Sequence, residues 1–169
     1  MAGILFSCVN DLDAIEKATY SDDAADEVTQ NLEILYTDSG YAQVRVQAAL
    51  AETDKLPKHI TRLKDGLRVD FFENDGKIGS TLTALYGEVD YATGIMFVKD
   101  SVVLYNYEKK QWLETEELFY NQNDSTIHTS KYYVVKTEGK GITGSGEGMR
   151  TTPSFRDYET WKPVGAIDQ

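Results

Sequence analysis

The sequence predicts an all-β fold, and three observations carry that reading. Apolar and polar residues alternate in short runs, most clearly Ala42, Val44, Val46, Ala48 and Leu50 against Gln43, Arg45 and Gln47. A period of two marks a half-buried strand. The runs are punctuated by Asp, Asn, Gly and Lys pairs, and 13 Gly and 11 Tyr against 3 Pro favour pleated sheet with tight turns. No stretch between the runs carries a convincing helical stripe.

Taken in order, Asn10 to Gln30 is polar and acidic, with Asp11, Asp13, Glu16, Asp22, Asp23, Asp26 and Glu27, and is read as a disordered tether. Alternation begins at Leu32, runs to Thr37, turns at Asp38-Ser39-Gly40 and continues along Tyr41 to Ala48 as a hairpin. Further strands are expected at Leu67–Phe72, Ser80–Tyr86, Thr93–Val98, Ser101–Tyr107, Trp112–Tyr120, Thr126–Lys136 and from Ile142 onward, with a turn at Asn74-Asp75-Gly76. A last strand is expected from about Pro153, ahead of a frayed tail. Eight or more short strands without helices call for antiparallel sheets packed as a sandwich, roll or open barrel.

An internal echo suggests repeated hairpins. Ile95, Val102, Val103 and Thr83 recur as Ile127, Val134, Val135 and Thr115, each 32 residues on (127 − 95, 134 − 102, 135 − 103, 115 − 83). Stacked hairpins of this kind would build a β-solenoid or an elongated jelly roll. The run Gly144-Ser145-Gly146-Glu147-Gly148 falls where a third unit would begin, since 112 + 32 = 144.

At 169 residues the chain closes one core and is too short for two ordinary domains. Its net charge of −11 argues against a sequence-independent grip on nucleic-acid phosphate, so DNA and RNA are excluded as partners. One cysteine leaves no internal disulfide and no four-cysteine zinc site.

That cysteine is informative by position. Ile4-Leu5-Phe6-Ser7-Cys8 is a short apolar run, a small residue and a cysteine near the N-terminus, the pattern of a bacterial lipobox. Residues Met1 to Phe6 carry no Lys or Arg and are too few for a working apolar region, so 1–8 is read as a truncated signal. Lipidation of Cys8 would leave a mature chain of 169 − 7 = 162 residues. No segment approaches the roughly 20 apolar residues of a membrane-spanning helix, so the anchor would be lipid alone. The expected organisation is a signal remnant at 1–8, a linker at 9–30, one β-domain at 31–162 and a tail at 163–169.

Constellations that resemble chemistry have plainer readings. Glu114 and Glu116 would share one face of a strand, with Glu117 opposite, whereas catalytic carboxylate pairs usually come from separate strands. His59 and His128 have no Cys or second His nearby, so no metal ligand set is expected. The glycine run lacks the Gly-Lys-Ser/Thr of a phosphate loop and any following helix, and reads as a bulged or closely packed strand. No cofactor is implied.

Several segments, in their order and spacing, carry a family resemblance across Leu32 to Met149. They are Tyr36-Thr37-Asp38-Ser39-Gly40 before a long alternating strand, Pro57 ahead of Gly66-Leu67-Arg68-Val69-Asp70-Phe71-Phe72, Ser80-Thr81-Leu82-Thr83-Ala84, Val102-Val103-Leu104-Tyr105-Asn106, Leu113-Glu114-Thr115-Glu116-Glu117-Leu118-Phe119-Tyr120 and Gly144-Ser145-Gly146. Together they resemble the LptC family, the periplasmic component of the lipopolysaccharide-export ABC transporter, and its β-roll relatives. The resemblance implies a twisted open β-roll with an apolar groove for lipopolysaccharide acyl chains. It implies two partners, the inner-membrane ABC transporter at one end and a downstream LptA-like β-roll, joined by edge-strand pairing, at the other.

The groove would be lined by Val44, Val46, Ala48, Val69, Phe71, Leu82, Ala84, Tyr86, Phe97, Leu104 and Tyr133, with the small Ala42, Ala48 and Ala84 leaving room for a guest. The physical need is clear: an acyl chain of about a dozen methylenes costs on the order of 10 kcal/mol to expose to water. A protein doing this is no enzyme, and it would sit in the periplasm, anchored to the inner membrane. The rival reading is an envelope β-sandwich lipoprotein that binds carbohydrate or protein, with Trp112, Trp161 and the tyrosines as its contact surface.

Overall fold

The computed structural model describes residues 25–55, 57 and 59–164. These form ten strands: β1 (Glu27–Asp38), β2 (Tyr41–Asp54), β3 (Ile60–Phe72), β4 (Ile78–Ala84), β5 (Tyr86–Asp90), β6 (Ile95–Asn106), β7 (Gln111–Asn121), β8 (Thr126–Thr137), β9 (Gly141–Thr151) and β10 (Glu159–Pro163). Every pairing is antiparallel and all ten strands belong to one sheet, ordered β1-β2-β3-β4-β6-β7-β8-β9-β10. The strand β5 continues the line of β4 between β3 and β6. The all-β class read from alternation is therefore the observed one.

Most strands run 11 to 14 residues, about twice the common length, and strands this long need bulges to bend a sheet over itself. A line of irregularities crosses the sheet and supplies the crease. It passes through the register shift at Ala48/Leu50, Asp65 and Gly66 at positive φ, the break at Leu85, Asp100 and Ser101 at positive φ, and the shifts at Thr115/Phe119 and Thr129/Tyr132. Backbone bonds from Gly66 N–H to Leu85 O (3.1 Å) and from Leu85 N–H to Asp100 O (3.0 Å) stitch it together. Folding along this crease brings the two halves face to face, with the Phe71 and Tyr120 rings 5.1 Å apart, edge to face.

Between the halves lies one apolar core. Its spine is a cross-strand ladder on the inner face: Ile34, Val46, Val69, Leu82, Leu104, Leu113 and Val135, each directly opposite the next, ending at Gly144. Directly opposed apolar pairs are the unit by which an antiparallel sheet is stabilised, and Leu82, Leu104 and Leu113 at its centre are fully buried.

The ladder corrects the expected 32-residue repeat. Residues equivalent across two strands are 31 apart: Thr83, Val103, Glu114 (114 − 83); Met96, Tyr120, Ile127 (127 − 96); Val102, Thr115, Tyr133 (133 − 102). A shift of one residue reverses every side chain. Val102 is buried on the inner face while its sequence echo Val134 lies outside beside Glu114. The echo reflects alternating sequences meeting one residue out of phase.

Other expectations shift as well. The strand β1 begins at Glu27, so Glu27 to Gln30 of the expected linker are strand; Cys8 and the tether up to residue 24 lie outside the described residues. The segments Thr93–Val98 and Ser101–Tyr107 are one strand, β6, with the crease at Asp100-Ser101 inside it. The last strand starts at Glu159, because residues 152–158 form a strap across one end of the roll, and Pro163 closes β10 instead of opening a tail. The strand β10 lies so close to β9 that a Cβ on Gly146 would sit 2.5 Å from Lys162 O, and only glycine fits there.

Candidate functional site

Nine of the eleven residues expected to line a groove do meet on the inner face: Val44, Val46, Ala48, Val69, Phe71, Leu82, Ala84, Leu104 and Tyr133 are all buried in one cluster. Tyr86 and Phe97 do not join them. The break at Leu85 inserts one residue after Ala84, which leaves Leu85 exposed and turns Tyr86 outward, where its hydroxyl donates to Glu88 Oε1 (2.6 Å) and Lys99 Nζ stands 4.9 Å from its ring. Phe97 lies between the buried Met96 and Val98 and so points outward, packing on Phe119 at 4.8 Å.

The middle of the roll is filled by its own side chains. Where Val44 and Val46 face Val89, Met96 and Tyr120, the space left is about 20 Å³. Ala48 and Ala84 have a common cross-strand partner in Leu67 and border a wide, open depression of about 610 Å³ at the crease. More enclosed volume lies at one end of the roll, on either side of the 152–158 strap.

On one side is a cavity of about 540 Å³ bordered by Tyr36, Phe71, Tyr120, Glu73, Pro153 and Arg156. Its rim is polar. Burial, and after it the neighbouring Tyr91, push the pKa of the Tyr36 hydroxyl up to about 12, so it stays protonated. On the other side is a more apolar cavity of about 450 Å³, bordered by Tyr133, Val135, Gly144, Met149, Phe155 and Lys109. It opens where the core ladder ends, because Gly144 puts no side chain opposite Val135. Of its apolar lining, sequence reasoning named only Tyr133. Val135 belonged to the supposed echo, Gly144 to a bulge, and Phe155 to a terminal strand. The one available signal was an isolated phenylalanine beside Pro153 in an otherwise polar segment.

The strap is fixed by a polar chain reaching into the core. Ser80 Oγ donates to Pro153 O (2.6 Å), Asn106 Nδ2 donates to Ser80 Oγ (3.0 Å), and Asn106 Oδ1 accepts from Lys109 N–H (2.7 Å). Lys109 Nζ also donates to Phe155 O. Among the described residues no buried side-chain nitrogen or oxygen lacks a partner, as expected of a settled interior.

The outer face carries charge chemistry of another kind. Asp70, fully buried, is clamped by Arg45 Nη2 (2.6 Å), Arg68 Nε (2.9 Å) and Thr81 Oγ1 (2.8 Å). Burial alone would raise its pKa, but these donors together hold the carboxyl below its usual range. Glu114, the carboxylate best placed among aromatics, is paired to Lys136 Nζ (2.7 Å) and accepts from Trp112 Nε1 (3.1 Å). The Lys136 bond leads the causes that hold it low, which is opposite to what a proton donor needs. His59 stacks on Tyr91 and His128 on Phe119, and no cluster of three or more potential metal ligands occurs among the described residues.

No family model matches the chain, and no curated protein matches it.

Proposed function

We propose that this chain is a non-enzymatic lipid conduit of the LptC kind, which accepts lipopolysaccharide from the inner-membrane ABC transporter and passes it to an LptA-like β-roll. The observation that carries the reading is the apolar cavity of about 450 Å³ left where the core ladder runs out at Gly144. A fold that only needed a dry core would close that end with a side chain. On this reading the acyl chains occupy the strap end of the roll, while the filled middle acts as a rigid wall.

The sheet order supports the partner assignment. Among the described residues both terminal strands, β1 and β10, are edges with one paired side each, and an exposed edge is a ready template for strand addition. The strand β2 is paired on both sides, so β1 is the edge on that flank. The twelve residues of β1 contain no proline to blunt pairing. We assign β1 to the transporter side and β10 to the bridge side. Lipidation at Cys8, ahead of the acidic tether, would hold the roll at the periplasmic face of the inner membrane.

One observation favours the second reading, a carbohydrate- or protein-binding module. Trp112 and Tyr105 are cross-strand partners on the outer face with rings 6.2 Å apart, and Tyr107 packs on Tyr105 at 4.9 Å. Co-purified lipid separates the two. Protein extracted from the envelope and purified without detergent is expected to carry acyl chains detectable by mass spectrometry. A folded protein free of them would favour the binding module.

A further inference from the structure

The strap itself is strained. Phe155 is buried at 4% exposure, yet its φ is 51°, in the left-handed region that a bulky side chain adopts only when its surroundings impose it. Its ring borders the more apolar cavity, and its neighbours Pro153 and Arg156 border the other. The strap is thus the partition between two cavities. It is held by Ser80 Oγ on Pro153 O (2.6 Å), by Thr151 Oγ1 on Asp157 O (2.9 Å), and by Lys109 Nζ on Phe155 O.

The last of these is the exchangeable one. An ammonium that donates to a neutral carbonyl donates to a carboxylate or phosphate oxygen in its place with a gain in strength, because ionised acceptors form the stronger bonds. Lys109 already borders the more apolar cavity, and Lys140 borders it too. In a chain of net charge −11, lysines on the rim of an apolar cavity are matched to a ligand with an apolar body and an anionic end.

We propose that the strap is a ligand-displaced gate and that this cavity binds the anionic end of an acyl amphiphile, with Lys109 as the switch. The anion takes Lys109 Nζ from the Phe155 carbonyl. Phe155, released, leaves its left-handed conformation and withdraws, and the acyl chain enters the space it vacates. The two cavities then form one trough. The empty protein keeps its partition closed, which shields apolar surface from water until cargo arrives. This rests on the lipid-conduit reading and adds to it how the site is guarded.

The test titrates the described protein, as the full chain, with tetradecanoate, tetradecyl phosphate and tetradecanol below their aggregation limits. Binding is read by calorimetry and strap opening by amide hydrogen exchange over 152–158. Both anions are expected to bind about tenfold or more tighter than the alcohol, the worth of one good charge-assisted bond, and to speed exchange in the strap. Their order identifies carboxylate or phosphate as the preferred head group. Lys109→Met should speed strap exchange without ligand and bring anions and alcohol to within about twofold of each other. Phe155→Gly, which accepts the same φ and removes the ring, should tighten all three.

Equal affinity for alcohol and anions in the parent protein, or strap exchange unchanged by either ligand or Lys109→Met, would overturn the gate while leaving lipid binding intact. Failure of every amphiphile to bind both the parent and Phe155→Gly would instead overturn the lipid-conduit reading on which it stands.

Discussion

Replacing Arg45 and Arg68 together with methionine is expected to destabilise the fold by about 3–5 kcal/mol at neutral pH, the cost of leaving a buried carboxylate uncompensated. Asp70 is fully buried, while its two arginines are 30% and 45% exposed. The asymmetry decides which deletion hurts more. Removing Asp70 frees guanidiniums that water can solvate, so Asp70→Ala should cost only about 1.5–3 kcal/mol, the value of hydrogen bonds to a charged group. Removing both arginines strands the carboxylate with Thr81 alone.

The pH dependence reverses with it. In the parent protein the pKa of Asp70 lies below its ordinary value, so its contribution is present above about pH 4 and is lost as pH falls through the folded-state value. In the double variant burial dominates and raises that pKa. The stabilising form is then the protonated one, complete below the unfolded value and lost as pH rises through the folded one. Urea midpoints at constant m-value should show the deficit of the double variant shrinking from pH 8 toward pH 5. A deficit that is constant or grows on acidification would contradict this account of the outer face.

The second large effect is Leu104→Ala. Leu104 stands at the centre of the core ladder, fully buried between Leu82 and Leu113. Cutting it to alanine in a filled interior should cost about 2–5 kcal/mol through lost transfer energy and an unrelaxed cavity. The size of the loss also locates the lipid. A dry middle gives the full penalty with amphiphile binding unchanged. A groove running through the middle would show a small penalty and tighter binding, which would sink the assignment of the acyl site to the strap end.

Much of this architecture is legible in the residues because alternation reports burial directly. Ala42 to Ala48 reads as one half-buried strand, and Ser39 and Gly40, both at positive φ, make the two-residue hairpin turn that the sequence announces. What is hidden is the crease. It is built from Asp65, Asp100 and Ser101 in left-handed conformations and from the single inserted Leu85, and none of these changes the hydrophobic pattern enough to reveal itself. Reading straight through Leu85 carries Tyr86 to the wrong face, and Phe97 lies outside because its neighbours Met96 and Val98 are the inward pair. The start of β1 escapes because an edge strand packed on one side can be largely polar, as Glu27, Thr29 and Gln30 are.

The site is less legible than the core for a related reason. A cavity is made by what is absent, and Gly144 at the end of a ladder of valines and leucines has meaning only once Val135 is known to stand opposite it. Phe155 reaches the interior from a strap that no periodicity describes, held by the Ser80 and Asn106 chain. Polar residues buried at a sheet end look in sequence like any turn.

The most direct test of the central claim is photo-crosslinking in cells from single positions, with adducts probed for lipopolysaccharide. Phe71 and Tyr133 border the two cavities at the strap end, while Tyr86 lies on the outer face beside Glu88 and Lys99. The account predicts lipopolysaccharide adducts from Phe71 and Tyr133 and none from Tyr86. Adducts from all three, or from none in a folded and envelope-localised protein, would contradict it.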